Sequence, residues 1–149
     1  MFRPLFGRKV AYLTLSMIEQ LCLLVVGLVG TYLALLGFSA LVFPAKVAKF
    51  LLGFASTQLL HLLELLARVA VGAAFVGASS RLSPSVPFLV LGWVLLGTSA
   101  LLLLIPWQWH RRFASMAVPM ANRFISVIGL ASLIAGVLIL VVVFRGAAN

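Results

Sequence analysis

Residues 124–144 read "FISVIGLASLIAGVLILVVVF", and this stretch decides the class of fold. It holds 21 consecutive residues without a charged side chain. An α-helix rises about 1.5 Å per residue, so a segment of this length reaches across a hydrocarbon core about 30 Å thick. The rest of the chain agrees, because 64% of its 149 residues are hydrophobic and only 9% are charged, whereas soluble domains carry about 25% charged residues. The mean hydropathy is +1.27. The sequence therefore predicts an integral membrane protein.

Three further apolar stretches precede this segment in the chain. Together they predict an all-α membrane domain over residues 1–149 with four transmembrane helices, at about 20–43, 57–79, 86–105 and 124–144. Residues 1–18 are predicted to form a short interfacial helix that leads into the first span.

The breaks between the predicted spans differ in chemistry. Pro44 with Lys46 and Lys49 ends the first span, and the polar turn "SSRLSPSVP" (79–87) ends the second with two prolines. The third span is followed by the interfacial sequence "PWQWHRRF" (106–113). We expect the side chains of the connectors after the first and third spans to act as headgroup-level anchors on the same side of the membrane: Trp107, Trp109, His110, Arg111, Arg112, Lys46 and Lys49.

A short motif occurs twice in the chain. "LLGFSAL" (35–41) recurs as "LLGTSAL" (95–101), and each copy is followed by a proline, a basic stretch and another span. This pattern predicts two helical hairpins that are parallel repeats, with short interfacial connectors and an axis along the membrane normal. Chance is the alternative, because Leu, Gly, Ser and Ala are common in membrane helices.

Small residues inside the spans predict close packing between helices. The positions expected to form such surfaces are Gly27, Gly30, Ala34, Gly72, Ala73 and Gly77.

The second predicted span carries charged side chains in "HLLELLARVAVG" (61–72). At 100° per residue, Gln58, His61, Glu64 and Arg68 fall within an arc of about 120°, so they form a polar stripe. Glu64 precedes Arg68 by four residues, the favourable order for an ion pair within a helix. Arg68 lies about 16 Å into the span, where an unpaired arginine costs about 2.5–3.5 kcal/mol. The stripe must therefore face protein, a water-filled pocket or a polar ligand.

Two interpretations of this stripe remain open. It is either a structural clasp that fixes helix packing or a pocket for a lipid headgroup, a proton or a small polar molecule. His61 also has the chemistry of an axial ligand for a tetrapyrrole, and His110 is predicted on the same side of the membrane. No metal site and no cofactor are predicted.

The chain offers little catalytic chemistry. It contains two acidic residues, both glutamates, and it has neither a nucleophile elbow, nor a zinc-ligand spacing, nor a phosphate-binding glycine loop. We therefore expect no enzyme. The preferred hypothesis is a small accessory or scaffold subunit of a larger membrane complex that acts by helix–helix association. The alternative is a small transport module, or one that binds a lipid or small molecule, with a pocket at Glu64 and Arg68.

The net charge of +9 indicates what the chain contacts. Its basic residues lie at segment ends, where they meet anionic headgroups, so the expected partners are membrane lipids and other integral membrane subunits and not nucleic acid. Apart from Arg68, which lies within a span, the basic residues divide five to five between the two sides. Because the first helix often dominates topology, we expect a multi-pass protein of the cell membrane, in a bacterium the inner membrane, with both termini cytoplasmic.

Overall fold

A computed structural model describes residues 4–54, 57–104 and 123–148. Within these ranges the chain is helical and has no strand, which confirms the all-α prediction. The helices are α1 (Pro4–Val42), α2 (Pro44–Phe54), α3 (Gln58–Ala78), α4 (Ser85–Leu104) and α5 (Ile125–Ala148). Four segments are long and apolar enough to cross a membrane, a criterion of length and composition: Thr14–Val42, Gln58–Arg81, Ser85–Leu104 and Ile125–Ala147.

The first helix differs from its prediction. We expected a break near residue 18 between an interfacial helix and the first span, but α1 is one continuous helix of 39 residues. The reason is that Pro4 suits the first turn of a helix, and the next proline is Pro44, so no residue between them interrupts the backbone hydrogen bonds. Pro44 then begins α2, and only Phe43 separates it from the end of α1.

Capping and turn chemistry set the bounds of α3 and α4. Thr57 is the N-cap of α3, and its hydroxyl accepts a hydrogen bond from the Leu60 amide at 3.3 Å. After Ala78 a single 3₁₀ turn, Ser79–Arg81, leads to α4, which begins at Ser85. These bounds lie within a residue or two of the predicted spans at 57–79 and 86–105.

Two antiparallel helix pairs are packed at glycine contacts. In the pair of α1 and α5, a Cβ placed on Gly37 would lie 2.5 Å from the carbonyl oxygen of Gly129. In the pair of α3 and α4, a Cβ on Gly92 would lie 2.8 Å from the carbonyl oxygen of Gly72. Any larger residue at these positions would force the backbones apart, so glycine permits the close approach typical of membrane helices.

The spans are arranged in the order α5–α1–α3–α4. In the described residues α1 packs on both α5 and α3, whereas α4 packs mainly on α3 and contacts α5 little. One buried cluster joins all four spans and includes Val26, Phe75, Phe88 and Ile139. The rings of Phe75 and Phe88 stack with centroids 6.0 Å apart. This cluster lies towards the end of the molecule that carries the turn between α3 and α4.

The repeated motif does not mark equivalent packing surfaces. Gly37 of the first copy is packed against α5, but a Cβ on Gly97 of the second copy would meet nothing within 4 Å. Ala40 is likewise buried, whereas Ala100 is exposed. The physical reason is position, because α1 lies between two helices and α4 has one principal neighbour. A two-fold axis would interchange the two close pairs, α1 with α5 and α3 with α4, but it would also relate the contact of α1 with α3 to one between α4 and α5, and those two helices contact little. Superposition of the two hairpins stays a prediction.

Candidate functional site

The four residues of the polar stripe lie on α3 in three different environments. Gln58 is exposed, His61 is buried, and Glu64 and Arg68 are partly exposed. His61 shares the buried side of the helix with Leu65 and Gly72, the last of which packs on α4. Glu64 and Arg68 lie at the margin of this side, since each is within about 60° of His61 at 100° per residue.

Glu64 and Arg68 form the ion pair that their spacing suggests. Arg68 Nε lies 3.2 Å from Glu64 Oε1. The pair is not enclosed, because 38% of the Arg68 side chain and 32% of the Glu64 side chain are exposed. Counted from Gln58, Arg68 is about 15 Å along the helix, half the thickness of a hydrocarbon core. A bilayer would therefore meet a partly exposed ion pair close to its midplane.

The ion pair lies beyond the end of the buried cluster that joins the four spans. Along α3, the cluster and the residues packed against it extend from Ala78 back to Val71. Arg68 and Glu64 lie about one and two turns beyond Val71, towards α2. The four spans share their apolar core on one side of the pair, and no member of that core lies at the depth of Glu64 on α3.

A second ion pair was not predicted. Arg81 Nε donates a hydrogen bond of 2.8 Å to Glu19 Oε2, although the two residues are 62 positions apart in sequence. The turn that carries Arg81 also contacts α5, because a Cβ on Gly146 would lie 2.5 Å from the carbonyl oxygen of Arg81. At Arg81, therefore, α1 and α5 both contact the turn between α3 and α4. The signal in the sequence is that Glu19 precedes the first predicted span and Arg81 follows the second, so both lie at the same membrane surface.

The predicted interfacial anchors are described only in part. Lys46 and Lys49 are exposed on α2, and Lys46 Nζ lies 4.8 Å from the centroid of the Phe43 ring. The other anchors lie outside the described residues: Trp107, Trp109, His110, Arg111 and Arg112. A site shared by His61 and His110 stays a prediction for the same reason. Within 4–54, 57–104 and 123–148, no three His, Cys, Asp or Glu side chains are grouped to hold a metal ion.

Comparison with other proteins adds no family to these observations. No protein-family model matches the chain, and no curated protein or solved structure is significantly similar to it. The features of this chain that bear on its function are therefore its ion pairs, its packing and its exposed surfaces.

Proposed function

We propose that this protein is a small accessory or scaffold subunit of a larger membrane complex and acts by helix–helix association in the bilayer. The observation that supports the proposal is the partial exposure of the Glu64–Arg68 pair halfway along α3. At the surface of a soluble protein such a pair is solvated by water. At the bilayer midplane its neighbours are lipid chains, which provide no hydrogen bonds. A partner helix with polar or small side chains would cover the pair and satisfy its remaining donors and acceptors.

The arrangement of the spans supports association as well. The described helices form an open row, so α4 has a free side along its length. Its Trp93 and Leu101 are 61% and 62% exposed, and Gly97 between them has open space around its Cα. An outer helix with a single main neighbour suits a protein whose packing is completed by another chain. No enzymatic activity is proposed.

Purification in a mild detergent tests the proposal. Ala67 is exposed and lies one turn from Glu64, so Ala67→Phe obstructs a partner at the ion pair without disturbing the described packing. Ala73 is also exposed but lies about 180° from Glu64 around the helix, so Ala73→Phe is the matched control. We expect a membrane protein to copurify at a fixed ratio with the original chain and with Ala73→Phe, and to be lost with Ala67→Phe. A chain that runs alone in all three forms contradicts the proposal.

The competing function is a small module that transports or binds a polar molecule or lipid headgroup at the same pair. The exposure of both side chains favours it, because a ligand can reach them. The double variant Glu64→Leu with Arg68→Leu separates the two functions. A scaffold keeps its partner, because a pair that the partner covers can be replaced by apolar groups that pack in its place, whereas a transport or binding module loses its activity while it stays folded.

The membrane location is part of the proposal. We place the chain in a cell membrane, in a bacterium the inner membrane, with both termini in the cytoplasm. Arg3, Arg8 and Lys9 before the first span support this orientation. A single cysteine at Lys46, introduced in a Cys22→Ser background, should react with a membrane-impermeant reagent from outside the cytoplasm. Reaction from the cytoplasmic side alone would reverse the orientation.

A further inference from the structure

The corner between α1 and α2 contains an open groove of about 370 Å³. One wall follows α1 from Tyr32 to Phe43, and α2 contributes Lys46, Val47 and Phe50. The volume lies within the range of about 300–1,000 Å³ that is typical of ligand sites. The wall is apolar apart from a few polar atoms, and Leu35 within it is 62% exposed. The groove therefore suits a long apolar group with a polar end.

The length of the groove matches one leaflet of a bilayer. From Tyr32 to Phe43 the wall covers about 16 Å of helix, which is roughly half of a hydrocarbon core about 30 Å thick. The groove begins at the end of the membrane span in α1 and runs towards its middle. An acyl chain anchored at the interface occupies the same depth.

The charge at the mouth of the groove is not balanced by either of the two glutamate side chains of the chain. Lys46 lines the groove and is held beside it, with Nζ over the ring of Phe43. The sequence has only two acidic residues, and these are Glu19 and Glu64, paired with Arg81 and Arg68 respectively. The negative charge that balances Lys46 must therefore come from outside these side chains, and the phosphate of an anionic lipid in the same leaflet has the charge and hydrogen-bond acceptors to supply it.

We propose that this groove binds one anionic phospholipid of the bilayer. An acyl chain lies along α1 between Tyr32 and Phe43, and the phosphate lies at Lys46. The site is separate from Glu64 and Arg68, so it does not depend on the proposed partner function. The binding energy combines apolar contact along the groove with the charge at its mouth, which distinguishes this site from general attraction of a basic helix to a surface.

Lipid titration followed by native mass spectrometry tests the site. The purified full chain in a neutral detergent is titrated with phosphatidylglycerol and with phosphatidylcholine of the same acyl chains. Lys46→Gln removes the charge at the groove, and Lys49→Gln removes a charge one turn away on the same helix but outside the groove lining. Leu35→Trp fills the groove with a large ring, and Leu138→Trp is its control, because Leu138 is similarly exposed, 59% against 62%, and lies on α5 outside the groove lining. Thermal melts of each variant check that it is folded.

We expect the original chain to retain one phosphatidylglycerol in preference to phosphatidylcholine. Lys46→Gln should weaken phosphatidylglycerol binding about fivefold, and Leu35→Trp should abolish the single retained lipid, while the two controls leave it unchanged. Three results would overturn the proposal. If Lys46→Gln and Lys49→Gln weaken phosphatidylglycerol binding equally and Leu35→Trp has no effect, the lipid is attracted to the basic surface of α2 in general and not to the groove. Equal binding of the two lipids indicates a groove without headgroup selectivity. Loss of an oligomer with Leu35→Trp indicates that a protein helix occupies the groove.

Discussion

Arg81 and Glu19 are joined by a hydrogen bond of 2.8 Å, from Nε to Oε2, that connects α1 to the turn between α3 and α4. The same turn supports α5, since its Arg81 carbonyl lies against Gly146. The contact closes the end of the molecule where the buried cluster joins the four spans. It is a link between distant parts of the chain, whereas the pair of Glu64 and Arg68 acts within one helix.

The first prediction concerns this link. Arg81→Ala should lower the free energy of unfolding by about 1 kcal/mol, because the pair is partly exposed and its charges are screened. This corresponds to a fall in Tm of roughly 2–4 °C for a chain of this size. The matched control is Arg145→Ala, since Arg145 is an exposed arginine in the last turn of α5 and belongs to neither ion pair. Equal melting temperatures for the two variants, measured in one detergent, would show that the link contributes nothing to stability.

The second prediction uses the two glycines of the repeated motif. Gly37→Ala places a Cβ 2.5 Å from the Gly129 carbonyl oxygen, so it should destabilise the fold by about 1–3 kcal/mol. Gly97→Ala meets nothing within 4 Å and should be neutral or stabilising by up to about 1 kcal/mol, because alanine favours the helix. Unfolding curves of both variants decide the matter. A Gly37→Ala variant as stable as the original chain would mean that the α1–α5 contact is not as close as described, and a destabilised Gly97→Ala would mean that α4 is covered at Gly97.

The third prediction concerns the charge balance on α3. Arg68→Leu and Glu64→Leu should each lower stability by about 2 kcal/mol, less than for a fully buried pair, because each leaves one charge without its partner. The double variant should recover most of this loss, since it removes both charges together. A thermodynamic cycle measured in lipid nanodiscs gives the coupling energy. Additive losses in the cycle would show that the two side chains act independently.

The fourth prediction concerns the buried cluster. Phe75 is 3% exposed and stacks on Phe88, so Phe75→Ala should lower the free energy of unfolding by about 3 kcal/mol through the cavity that it leaves. Phe38 is 59% exposed, and Phe38→Ala should change stability by less than about 0.5 kcal/mol. Thermal unfolding of the two variants separates them. A similar small effect of both would place the structural core elsewhere.

The features that could be predicted from the sequence are the local ones. The length of apolar segments predicts the spans, and the spacing of four residues predicts the pair of Glu64 and Arg68. The pair of Glu19 and Arg81 depends on how α1 and α3 are placed side by side, which no periodicity encodes. The same limit applies to packing surfaces. Gly72 was predicted to pack closely and does, Ala73 was predicted likewise and is exposed, and Gly92 was missed, because the side that a helix buries depends on its neighbours.

The pairing of α1 with α5 has a consequence for biosynthesis. The principal neighbour of α1 begins about 80 residues after α1 ends, which takes on the order of ten seconds to translate. During this time the surface around Gly37 faces lipid or the insertion machinery. By contrast, α3 and α4 are consecutive and can dock as soon as α4 emerges, because closing a short connection loses little chain entropy. The packing of α1 is therefore completed only after α5 has entered the membrane, later than the packing of α3 with α4.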